Sequence, residues 1–93
     1  MPERIRTLHP AGRGTSVLLR RDRYEAAREA IVEALRHRAP LSFDELVDAV
    51  RDRLDVGPLC TVRWYVRTVK LDLEARGVLR CVPHRRPQQV HLV

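Results

Sequence analysis

Prolines and glycines divide this chain before any other signal does. Pro40, the Gly57-Pro58 pair, Gly77 and the prolines at 83 and 87 fall between stretches of apolar periodicity, and each is a residue that stops a helix or a strand. Between those stops the spacing predicts three helices. The first runs from about Arg23 to His37, with Asp22 as its cap and Tyr24, Ala27, Ile31 and Leu35 at i, i+3/i+4, i+7 spacing. The second opens on Ser42-Phe43-Asp44-Glu45, a capping box in which Ser42 is the N-cap and Glu45 reaches back to its amide. Leu41 and Leu46 stand at the two positions of a hydrophobic staple. The third runs from Cys60 or Thr61 to Arg76, with Val62, Tyr65, Val66, Val69 and Leu73 as its core stripe and Gly77 as its C′ residue. After Gly77, Val78 to Val82 and Gln88 to Val93 read as two strands around a basic loop, residues 83–87, that cannot be helical.

The expected fold class is therefore mainly α with a C-terminal β-hairpin, an α+β chain of one domain. Residues 1–22 read as a basic arm that includes Pro2, Pro10, Gly12 and Gly14, and residues 23–93 as the folded domain. A chain of 93 residues buries roughly 60–65% of its unfolded surface, enough for one modest core. No apolar run approaches the roughly 20 residues that cross a bilayer, so no membrane contact is expected. Val17-Leu18-Leu19 is too short for the core of a signal peptide. The expected location is cytoplasmic.

Charge gives the first indication of a partner. The net charge is +6, and its distribution is uneven. Residues 1–23 carry six arginines against Glu3 and Asp22, a net +4; residues 24–59 carry five against eight acids, a net −3. Residues 60–93 carry six arginines and Lys70 against Asp72 and Glu74, a net +5. A codon bias toward arginine would spread charge along the chain, whereas segregated charge suits a polyanionic partner.

Three helices, a hairpin and a basic hairpin tip resemble the winged helix-turn-helix superfamily over about Tyr24 to Val93. More narrowly, Arg63-Trp64-Tyr65-Val66 and the run Val69 to Gly77, with its Leu-Glu-Ala-Arg-Gly ending, resemble small stand-alone bacterial winged-helix proteins of unknown function. The resemblance implies a DNA-binding protein, a small transcriptional regulator associated with the nucleoid. In such a fold the third helix enters the major groove of double-stranded DNA and the wing lies on the adjacent backbone. About eight residues, Leu54 to Thr61, separate the second and third helices, more than a tight helix-turn-helix turn.

On the third helix Arg63, Arg67 and Lys70 stand at i, i+4 and i+7, turned away from the core stripe. Arginine suits both guanine and phosphate there. Thr61 and Thr68 are secondary candidates, the wing offers His84, Arg85 and Arg86, and the arm offers Arg4, Arg6 and Arg13 for a minor groove. Trp64 and Leu71 share another face of the same helix, with Thr68 and Ala75. An apolar face of that size needs cover: the arm through Val17, Leu18 or Leu19, a second subunit in a homodimer, or DNA. The competing function is thus a protein-interaction or dimerisation module built on Trp64 and Leu71.

The remaining chemistry-bearing residues read as structural. Cys60 and Cys81 are expected to be buried thiols, and His9, His37, His84 and His91 lack metal-ligand spacing. Neither a nucleophile elbow nor a phosphate loop nor a paired-histidine zinc motif occurs. No enzyme, cofactor or metal is expected.

Overall fold

A computed structural model describes residues 3–9 and 17–93. Among them are three helices and two small antiparallel sheets, in the order β1 (Arg4–Arg6), β2 (Leu18–Arg20), α1 (Arg21–His37), β3 (Leu41–Ser42), α2 (Phe43–Val50), α3 (Leu59–Ala75), β4 (Leu79–Cys81) and β5 (Gln89–Leu92). A 3₁₀ turn, Arg51–Arg53, continues α2. The α+β class is as expected, but the hairpin is not confined to the C-terminus.

The first correction concerns the arm. Its described residues form a hairpin, with Arg4 opposite Arg20, Ile5 opposite Leu19 and Arg6 opposite Leu18. Opposed residues share a face of the ribbon, so Ile5 and Leu19 point inward while Arg4, Arg6, Leu18 and Arg20 point out. Burial agrees: Leu19 is in the core and the four outer residues are exposed. The Thr7 amide donates to the Val17 carbonyl and the Arg21 amide to the Glu3 carbonyl, extending the pairing at both ends.

That second bond also corrects the start of α1. The helix begins at Arg21, its N-cap position falls on Arg20, and no side chain caps it. Glu3, just before the neighbouring strand, takes up the first orphan amide instead. Asp22 sits inside the first turn and pairs with Arg20 at 2.9 Å. Tyr24, Ala27, Ala30, Ile31 and Leu35 then form the buried stripe.

β3 was not anticipated. It pairs Leu41 with Val90 and Ser42 with Gln89, so the C-terminal sheet has three strands in the order β3-β5-β4. Ser42 is at once the end of β3 and the N-cap of α2. Its hydroxyl accepts from the Glu45 amide at 3.2 Å, and the Glu45 carboxylate accepts from the Ser42 amide at 3.0 Å. The expected capping box is present. Leu41 and Leu46, the staple positions, are both in the core.

α3 begins at Leu59, earlier than the periodicity indicates, and shortens the link from the 3₁₀ turn to residues 54–58. Val62, Tyr65, Val66, Val69 and Leu73 are buried, as their spacing requires. Gly77 follows the helix at φ 79°, the left-handed conformation that a glycine C′ residue supplies without strain. Leu79 and Val90 close the core from the sheet side. No helix among the described residues is long and apolar enough to cross a membrane.

Because one serine serves two elements, its removal tests their coupling. Ser42→Ala should lower unfolding free energy by about 1 kcal/mol, measured by urea titration, and Ser42→Thr should retain most of it.

Candidate functional site

Helical geometry defines the outward face of α3. At about 100° per residue, Cys60, Arg63, Trp64, Arg67 and Leu71 occupy the arc opposite the core stripe. The first four are exposed and Leu71 is half-buried. Each edge of this arc meets a hairpin.

On one edge lies the N-terminal hairpin. The Leu8 amide donates to Asp72 Oδ1 at 2.8 Å, and an Arg76 Nη2 donates to the Arg6 carbonyl at 3.3 Å. These bonds seat Thr7, Leu8 and His9 beside α3 and enclose a groove of about 300 Å³, whose other walls are Val17, Trp64, Arg67, Thr68 and Leu71. On the other edge lies the C-terminal hairpin. The Cys81 thiol donates to Glu74 Oε1 at 3.3 Å, and the same carboxylate oxygen accepts from Lys70 Nζ at 3.1 Å. Burial, together with the Glu74 carboxylate, pushes the Cys81 thiol pKa up. Two residues after Cys81 the chain enters the tip, where His84 adopts φ 60° and His84, Arg85 and Arg86 are exposed.

The expected arginine stripe survives only in part. Lys70 is a correction: it is 8% exposed, tied to Glu74 beneath β4, and does not face outward. Its angle on the helix is as expected, but angle alone does not say which strand packs over it. Arg63 is exposed and engaged with α2, its guanidinium 4.9 Å from the centroid of the Phe43 ring and its Nη1 3.0 Å from Asp44 Oδ1. Arg67 is exposed at the groove mouth, and Thr68 is half-buried in the groove wall. Thr61 is half-buried. Arg4 and Arg6 lie on the outer face of the N-terminal hairpin, and Arg13 lies outside the described residues.

The apolar face has partial cover. Of Val17, Leu18 and Leu19 only Val17 lines the Trp64 groove; Leu18 points outward at 49% exposure and Leu19 joins the main core. Trp64 itself is 43% exposed and meets Tyr65 edge to face at 5.1 Å. Cys60, expected to be buried, is exposed in the first turn of α3, and Cys81 is half-buried.

The residue that sequence reasoning missed is Asp72. It appears there only as an acid beside the basic stripe, yet it is fully buried. It accepts from the Leu8 amide, from the Tyr24 hydroxyl and from Arg76 Nε at 2.8 Å. Burial, reinforced by the Asp72 carboxylate, raises the Tyr24 pKa to about 12, and the bond to Asp72 raises that of Arg76. The available signal was Tyr24, placed on a core stripe where its hydroxyl must find a partner.

Residues 4–90 match the model of a family of unknown function, DUF6958, a span that runs from the start of β1 into β5. No curated protein and no solved structure gives a match.

Asp72→Ala should cost on the order of 2–4 kcal/mol and speed hydrogen exchange at the Leu8 amide more than in α1. Tyr24 adds a pH signature. Its folded pKa lies above its unfolded value, so its contribution is complete below about pH 10 and lost as pH rises toward 12. Alkaline unfolding of Tyr24→Phe should lack that component.

Proposed function

The chain belongs to the DUF6958 family of unknown function; from its own exposed residues we propose that it is a winged-helix protein that binds double-stranded DNA, a small transcriptional regulator of the bacterial type. The observation that carries this reading is the outward arc of α3, which bears Arg63 and Arg67 between two hairpins that each present arginine. Arg4 and Arg6 lie on the exposed face of one, Arg85 and Arg86 in the exposed tip of the other. β3, paired to β5, fastens the C-terminal hairpin to the helical body, which favours its use as a wing.

In this reading the arc of α3 enters the major groove, where arginine can meet guanine edges. The two hairpins carry backbone contacts to the phosphates that flank it. Lys70 takes no part. Such a protein works in the cytoplasm on the nucleoid. A second reading draws on Trp64 and Leu8, both more than 40% exposed at the same groove. They would dock a partner protein or a second copy of this chain.

Binding to a random duplex pool at two salt concentrations, with size analysis of the same sample, tests both. If about four or five phosphates are neutralised, log K should fall against log salt with a slope of about −4. Arg85→Ala and Arg86→Ala should each weaken all duplexes alike and reduce that slope by about one. Absence of duplex binding at low salt would overturn the DNA reading. A melting temperature that rises with protein concentration and ceases to do so in Trp64→Ala would favour the second.

A further inference from the structure

The capping box fixes more than the start of a helix. With Ser42 as N-cap, Phe43 and Asp44 become the first two residues of α2, and the reciprocal Ser42–Glu45 bonds hold that turn. Both side chains meet Arg63, nineteen positions beyond Asp44 in the chain and on the outward arc of α3. The guanidinium carbon lies over the Phe43 ring, 4.9 Å from its centroid, and Asp44 Oδ1 accepts from Nη1 at 3.0 Å. Ring and carboxylate together restrict where the group can lie. An arginine has five N–H donors, so the bond to Asp44 leaves most of the fork available. Arg67, one turn along the same arc, has neither a ring nor a carboxylate partner among the described residues.

As a stabilising contact this pair contributes little, because both side chains are well exposed, at 47% and 79%. As part of a phosphate-binding face, Asp44 is unfavourable, since a carboxylate there repels every duplex alike. Both facts fit a part in base reading. A long side chain held in place beforehand loses less freedom when its fork meets the O6 and N7 of guanine.

We propose that Phe43 and Asp44 are positioning residues that aim Arg63 at guanine, so that the protein prefers a G·C pair at one position under the N-terminal half of α3. The proposal rests on the DNA-binding reading. Asp44 gives up affinity for duplexes in general in exchange for discrimination among them.

The test is selection from a random duplex pool by the full chain and three variants, each checked for an unchanged melting curve. The wild type should favour G·C at one position by about tenfold or more. Arg63→Lys keeps the charge and loses the fork, so its salt slope should hold while the preference flattens. Asp44→Ala, which removes the acceptor as well as the charge, should flatten the same preference and bind unrelated duplexes more tightly. Asp48→Asn removes an equal charge from the exposed face of α2, where Asp48 lies near Arg51, and should tighten general binding with the preference intact. Retention of the G·C preference in Arg63→Lys or in Asp44→Ala overturns the proposal. So does a wild type that binds all duplexes evenly, which leaves the DNA reading standing, whereas a wild type that binds none removes both.

Discussion

The buried Asp72 carboxylate is the interaction on which the surface arrangement depends. A carboxylate without solvent must be met by donors, and here they come from three elements. Tyr24 belongs to α1, Arg76 to the end of α3, and the Leu8 amide to the segment that follows β1. The amide contact matters most, because a hairpin of two three-residue strands is too small to persist by itself. Arg76 doubles the attachment by donating to the Arg6 carbonyl while it pairs with Asp72. One acid thus ties the segment after the first strand to the last turn of the third helix, across 64 positions of chain.

The opposite edge of α3 is held by weaker chemistry. Lys70, Glu74, Cys81 and Gln88 form a polar chain between the helix and the C-terminal hairpin, buried at Lys70 and exposed at Gln88. It fills the space under β4 with charge that is neutralised internally. This is why the basic stripe loses its third member: the strand needs a partner for Glu74, and Lys70 is one turn away on the same face. What remains outward is short, Arg63 and Arg67, with apolar Trp64 and Leu71 beside them.

Most of the local structure was legible in the residues. Core stripes at helical spacing, the Ser42–Glu45 box and Gly77 report interactions that close within a turn or two, so spacing is enough to find them. The N-terminal hairpin and β3 were not legible. Strands of two or three residues show no period, and they exist here because distant groups receive them: Val90 for Leu41, Asp72 for Leu8. Of the candidate site, Arg67, Arg85 and Arg86 lie exposed as their patterns suggest, whereas the engagement of Arg63 with α2 and the burial of Lys70 depend on neighbouring elements that a helical projection omits.

The burial of Lys70 has a chemical consequence. It is the only lysine in the chain, so every cationic side chain that stands outward at neutral pH, histidines aside, is an arginine. A guanidinium does not lose its charge over the pH range in which proteins stay folded. Nor does it present the amine that acetyltransferases and amine-directed reagents attack. Lysine acetylation, the common enzymatic means of discharging a basic surface, has one target here, and that target is shielded by Glu74 and β4. The charge of the exposed arginines is in effect permanent, open to screening by ions and to chemistry specific for arginine.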